Sequence, residues 1–408
     1  MSLSSQSSQP LSAAPAAVGR SVFLKLLPLT LAVFIGFLTM GMQLPVLPLY
    51  LHNSLGMSTL VVGLVIGAQF TVALLSRAWA GNFADMRGAK RAVVTGLFTV
   101  ASSGFVYLAS LPFVATPAVS VWILLAGRVL LAIGESLVVT GAMGWGIGLV
   151  GPQNAGKVMA WVGIAIYGAF ALGAPIGVVV NANWGFAGIS IGTICSPLVA
   201  LLVAATVPAV LPTASIRIPF YKVLALVLVP GMGLALASIG FGVITAFIAL
   251  LFAAKNWGNS SLAFTAFGVA FIGARILFGH LPDKLGGARV ALVSVVIEAA
   301  GLLLIWSADT RTIAYLGVAL TGFGYSLAFP GFGVEAARRA PPQSRSVAMG
   351  AYVAFLDISL GIASPLAGLI AGQWGVHTVF LAGGVAVGLS LLVAVRLLGK
   401  ASASAQGA

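Results

Sequence analysis

A chain of 408 residues that is 60% hydrophobic and only 7% charged, with a mean hydropathy of +1.12, lies far outside soluble globular domains, where about a quarter of residues carry charge. It reads as a polytopic membrane protein, and its 51 glycines suit helices that pack closely or flex, not a linker or a collagen repeat. The formal net charge of +13 raises nucleic acid as a partner, but no basic segment is long enough to form a tracking groove, which argues against that class.

Residues 1–24, rich in Ser, Ala and Pro, read as a disordered cytoplasmic tail. A signal peptide is the poorer fit, because the apolar run that follows continues into a full span. Segments long enough to cross about 30 Å of hydrocarbon, about 20 residues each, fall at 26–50, 58–82, 91–111, 119–148, 157–180 and 186–210. A second set falls at 223–252, 261–282, 288–307, 312–334, 346–371 and 376–398. The expected fold is therefore an all-α membrane protein of twelve transmembrane helices in two six-helix bundles, 25–210 and 223–398. A cytoplasmic linker, 211–222, joins them within a proline-bearing stretch (PAVLPTASIRIPFYK), and a cytoplasmic tail, 399–408, closes the chain. With the N-terminus inside, only Lys255 and Arg311 occupy outer loops, and Arg77, Arg128 and Arg275 lie in or at the ends of helices. Every other basic residue is cytoplasmic, as the positive-inside rule requires, so both termini are placed inside, in a bacterial inner membrane. No extramembrane stretch is long enough to bury a core, which excludes an extramembrane catalytic domain. The single cysteine, Cys195, excludes a disulfide framework and offers no metal site; it reads as a small buried hydrophobe.

The halves share a charged motif. Arg77, Gly81, Asp85, Gly88 and Arg91 recur as Arg275, Gly279, Asp283, Gly286 and Arg289, each pair 198 positions apart. Gly173-Ala-Pro175-Ile-Gly177 matches Ala363-Ser-Pro365-Leu-Ala at an offset of 190, as do Trp184-Gly185 with Trp374-Gly375 and Gly134-Glu-Ser136 with Gly324-Tyr-Ser326. Paired repeats are how many carriers build a site that opens to alternate sides. The duplicated loop, with Arg128-x5-Gly134 in the fourth span, resembles the signature motifs of the major facilitator superfamily over roughly residues 25–400. That resemblance implies two six-helix bundles about a central cavity lined by spans 1, 4, 7 and 10. It also implies that the loop is a cytoplasmic latch stabilising the outward-open state. From the residues themselves, Gly81 and Gly88 allow a tight turn and Asp85 can cap the next helix and face Arg77 or Arg91; the plainer alternative is charge that only fixes topology.

Arg128, Glu135, Glu298 and Asp357 lie inside apolar runs, where each needs a wet cavity, a partner or a bound proton. Arg128 and Glu135 are two helical turns apart on one face, and their span-ten equivalents, Val318 and Tyr325, are uncharged. They are candidates for substrate or proton handling, against a structural salt bridge to a neighbouring span. A carboxyl in a low-dielectric cavity can load and release a proton, which makes Glu135 the proton candidate; Arg128 does not titrate and could instead hold an anionic group. Asp357, aligned with Tyr167, stands with either role, and Glu298, on a scaffold span, reads as structural. Gln43, Ser238, Thr245, Thr321 and Tyr325, with Trp145, Phe241 and Phe247, describe a mostly apolar site. Glu335 with Arg338, Arg339 and Arg345 reads as a solvated anchor.

The Gly173-Ala-Pro175-Ile-Gly177 segment resembles the helix-bending motif of proton-linked drug antiporters, although Ala174 replaces a glycine, and Pro365 marks its echo. The first expectation is a proton-coupled efflux carrier for a small organic solute, acting by alternating access as a monomer without a cofactor. The runner-up is a proton-coupled uptake symporter. A membrane sensor or scaffold without transport is the reading from another class. His52, His280 and His377 are scattered and no intramembrane metal or nucleophile cluster exists, so an enzyme is not expected.

Overall fold

The computed structural model describes residues 15–210, 220–339 and 345–406. Its elements are α1 Pro15–Leu49, prolonged by a π-turn at Tyr50–Ser54, α2 Thr59–Arg87, α3 Ala89–Ser110, α4 Pro117–Val150, α5 Ala155–Thr206, α6 Phe220–Ala254, α7 Ser261–Phe278, the short α8 Leu281–Leu285, α9 Gly287–Trp306, α10 Arg311–Arg339, α11 Arg345–Trp374 and α12 Thr378–Gln406. Three boundaries differ from expectation. Helix α1 starts inside the segment read as a tail, and α12 runs through ASASAQ into the other, because alanine-rich sequence favours helix. Residues 220–222 of the expected linker belong to α6; residues 1–14 and the linker residues 211–219 lie outside the described residues.

Eleven helices among the described residues are long and apolar enough to cross a membrane. The twelfth crossing comes from α5, whose 52 residues would span about 78 Å if straight, more than twice the hydrocarbon thickness. Gly185, at φ 59° and ψ −161°, turns the chain back. The limbs then lie together, since a Cβ on Gly188 would stand 2.8 Å from Val180 Cγ1, and Gly177 and Gly192 both abut Met42. Gly375, at φ 87°, occupies the matching position between α11 and α12. An even number of crossings puts both termini on one face of the bundle, here the terminal face; the other is the distal face.

The first half packs α1 on α5, α3 on α4 and α5, and α2 on α4, while the second packs α9 on α10 and α12, and α6 on α11 and α12. Small residues let backbones touch. Gly41 meets Gly173, Gly96 meets Gly134, and Gly301 meets Gly317, each with no room for a Cβ. Three seams join the halves: α2 with α11, α5 with α7, and α1 with α6. They are closed toward the distal face. Thr59 Oγ1 donates to Gly368 O at 2.8 Å and Thr265 Oγ1 to Ala171 O at 2.7 Å, and Gly63 lies against Ser364 and Pro365. Residues 240–252 of α6 are buried on every side, whereas Leu226, Leu228 and Met232 toward the terminal face are exposed.

The two motif loops have one geometry. Gly88 adopts φ 96° and ψ 143°, and Gly286 φ 93° and ψ 140°, a region strained for any residue with a Cβ. Gly81, by contrast, lies within α2 and Gly279 ends α7, so the turn is made by Gly88 and Gly286 alone. The second copy is broken into α7 and α8 because Pro282 cannot continue the backbone ladder.

Candidate functional site

At mid-depth of α4, the buried Arg128 is 5% exposed. Its Nη1 donates to Gln43 Oε1 of α1 at 3.0 Å, Gln43 Nε2 donates to Thr193 Oγ1 at 3.0 Å, and Thr193 donates to Ile189 O at 2.9 Å. That relay fixes the amide with its oxygen toward the guanidinium. Arg128 Nε is buried and unbonded. Arg128, Gln43 and Thr245 of the other half line a void of about 20 Å³ with Met40, Leu47 and Ile66, enough for one water.

Seven residues along α4, about 10 Å, Glu135 Oε2 accepts from Gln69 Nε2 of α2 at 2.5 Å. Its Oε1 is buried without a partner, and the residue borders a second void, of about 10 Å³, with Thr39, Leu97 and Val138. Ser76 donates to Ser136 at 2.9 Å and Ser136 to Ala73 O at 3.0 Å, which holds this stretch of α4 on α2. Arg128 and Glu135 form no ion pair with each other; Arg77 pairs with Asp357 and Arg338 with Glu335.

Arg77 turns away from its loop. Its Nη2 and Nε both reach Asp357 Oδ2 at 2.7 Å, tying α2 to α11 across the halves. Asp357 is 3% and Arg77 24% exposed. Under the repeat, Arg77 corresponds to Arg275 and Asp357 to Tyr167, and these two meet on the matching α5–α7 seam through an aromatic layer instead. Tyr167 stacks on Phe271 at 3.7 Å and Arg275 lies 5.3 Å over the same ring. Tyr325 joins that layer, stacked on Phe241 at 5.7 Å, with its hydroxyl buried and unbonded.

Other candidates stand elsewhere. Ser238, Thr245 and Thr321 donate to carbonyls of their own helices, and of these Thr245 also borders the Arg128 void. Phe247 is core. Trp145 lies near the terminal face, where Nε1 donates to Pro208 O at 2.8 Å and Lys90 sits 5.6 Å over its ring. Its repeat equivalent, Glu335, is buried, not solvated: Oε1 accepts from the Ala288 amide at 3.3 Å at the start of α9 and pairs with Arg338. Arg345's side chain lies outside the described residues. Asp85, Asp283, Arg91 and Arg289 are exposed at the loop surface, away from the buried cluster. Gly173 and Gly177, which flank Pro175 within the helix, seat α1 against α5, and Gly185 is the one non-helical residue within α5. Pro365 packs beside Gly63 and Gly67 on the α2–α11 seam. Glu298 is fully buried with both oxygens unbonded, against Gly240 of α6. Cys195 is exposed, not buried.

Sequence reasoning missed Gln69, Thr193 and Tyr167. Each is a lone polar side chain in an apolar run, the signal that could have found them, but they sit on spans 2, 6 and 5, outside the helices expected to line the cavity. Among the described residues no group of three His, Cys, Asp or Glu could hold a metal ion. The arrangement offers one fixed positive charge, one carboxyl with a single donor and an unbonded oxygen, and an ion pair that joins two bodies.

The sequence profile of the Major Facilitator Superfamily matches residues 29–230 and 231–407. An uncharacterized MFS-type transporter of Salmonella typhimurium is 42% identical over 95% of this chain and 97% of its own. One of Burkholderia mallei is 45% identical over 89% of each. The fold is similar to the crystal structure of a bacterial homolog of the human lysosomal transporter Spinster in an inward-facing, unoccupied conformation, with a TM-score of 0.75 at 14% identity over 92% of this chain and 96% of that one.

Proposed function

This chain belongs to the major facilitator superfamily of membrane transporters, and on that premise we propose that it is a proton-coupled carrier of a small organic solute. Glu135 is the proton site, and the Arg77–Asp357 pair is the contact through which its charge state reaches the two halves. The observation that carries this reading is Glu135 itself: a half-buried carboxyl on α4, beside a void, with one donor and one buried, unbonded oxygen. A group that gains or loses charge there biases whichever conformation suits that charge, which is what coupling requires. We place the chain in the bacterial inner membrane with the terminal face cytoplasmic, on the distribution of its basic residues, and take the single chain as the working unit.

Export was the direction expected first, from the resemblance of the Gly173–Gly177 segment to the drug-antiporter motif, with uptake as the runner-up. Arg128 and Glu135 on one face of α4 favour substrate and proton that load together and travel the same way, which is uptake. The test is proton movement in proteoliposomes, wild type against Glu135→Gln, with a panel of sugars, organic acids and lipophilic cations. Substrate-dependent flux lost in the variant supports the reading. Undiminished flux in the variant removes Glu135 from the coupling path. Imposing the proton gradient in either sense and following solute accumulation decides the direction.

A further inference from the structure

We infer that Arg128 is the recognition point for a single negatively charged group, of carboxylate type, on the transported solute. The words "transported solute" rest on the carrier reading; the binding site does not. All seven acidic residues of the chain, Asp85, Glu135, Asp283, Glu298, Asp309, Glu335 and Asp357, lie in the described structure, and none forms an ion pair with Arg128. A permanently charged guanidinium is thus held 95% buried in the membrane interior among neutral groups alone, bonded to Gln43 and beside the Tyr107 hydroxyl, with a buried, unbonded Nε. Keeping such a charge unpaired is costly, and an element retained only for packing would be cheaper as a neutral residue.

The surroundings are built to hold the guanidinium ready. Thr193 orients Gln43, and Gln43 engages Nη1, while Nε stays without a partner and the residue borders the void. A guanidinium presents paired parallel donors whose spacing matches a carboxylate. The void holds only one water here, but Thr245, on its wall, belongs to the other half, so the space widens when the α1–α6 seam parts. One cation in an otherwise apolar chamber selects one negative charge, since a dianion would carry an uncompensated charge into the membrane. With a proton on Glu135, a bound monoanion makes the loaded site of α4 neutral overall, so the solute and proton move together without net charge.

The test is equilibrium binding to the purified full chain in detergent, followed by calorimetry and by the thermal midpoint, with benzoate, benzamide and benzylammonium as size-matched anionic, neutral and cationic probes and hexanoate as an aliphatic anion. The two carboxylates should bind and raise the midpoint while the amide and the ammonium do neither. Arg128→Gln should weaken carboxylate binding at least about 30-fold, the scale for removing one partner of a buried charge pair. Arg128→Lys, which keeps the charge without the fork, should lose about tenfold and serves where the Gln variant fails to elute as folded protein. A wild type that responds to carboxylates no more than to the neutral or cationic probe, or an Arg128→Gln or Arg128→Lys variant that binds as the wild type does, overturns the inference. Carboxylate binding that persists in a protein without proton flux would retire the coupling proposal and leave this one standing.

Discussion

The distal closure rests on backbone contact between α2 and α11, and Gly63→Leu probes it directly. A Cβ at Gly63 would collide with the carbonyl oxygen of Ser364 and stand 2.9 Å from Ser364 C and 3.1 Å from Pro365 Cα. These are backbone atoms of the other half, so no rotamer relieves the clash; the halves must separate there. Overpacking of this kind costs about 1–3 kcal/mol, which shifts a two-state equilibrium by about 5- to 150-fold, away from the conformation with the distal face sealed. The assay is the distance between spin labels on Asn53→Cys and Gln373→Cys, both exposed at the distal ends of their halves, in a Cys195→Ser background. The distribution should move from short to long distances. Gly388→Leu, where a Cβ meets nothing within 4 Å, should leave it unchanged. A folded Gly63→Leu protein with the wild-type distribution would refute the idea that this seam sets the conformation.

Arg77→Gln and Asp357→Asn should each lower the thermal midpoint, and the double variant should do little worse than either, a coupling of about 1–3 kcal/mol in a double-mutant cycle; additive effects would mean the pair does not act as a unit. Glu298→Met should raise stability by about 1–3 kcal/mol, because it removes two buried, unbonded oxygens, and should leave proton flux intact; loss of flux would give Glu298 a working role. Trp145→Phe keeps the ring under Lys90 but loses the bond to Pro208 O, which should cost about 1 kcal/mol in denaturant unfolding. No change there would show that the bond contributes nothing net.

Span number and position were legible because a bilayer demands about 20 apolar residues per crossing, and that constraint is read from composition alone. The repeat was legible for the same kind of reason: Gly88 and Gly286 share a backbone conformation that a residue with a Cβ adopts only under strain. Partners were not. The sequence showed that Arg128 and Glu135 share a face but not that Gln43 and Gln69 would serve them, since a neutral amide in an apolar run looks like any other until two helices cross. The sequence offered Arg77 or Arg91 as groups that Asp85 could face, but proximity along the chain says nothing about which way a long side chain such as that of Arg77 leaves its helix. Its actual partner is 280 residues away, on a helix whose neighbour is set by the meeting of two halves.

The two pseudo-equivalent seams are made of different materials, with consequences for how the halves turn. Charge pairs are sensitive to distance and to the dielectric around them, so the Arg77–Asp357 side behaves as a catch, engaged or released within a small displacement. Stacked rings tolerate sliding at nearly constant separation and offset, so the Tyr167–Phe271 side behaves as a bearing. A body with a catch on one flank and a bearing on the other pivots instead of splaying evenly. The internal symmetry of the gene is therefore not the symmetry of the stroke.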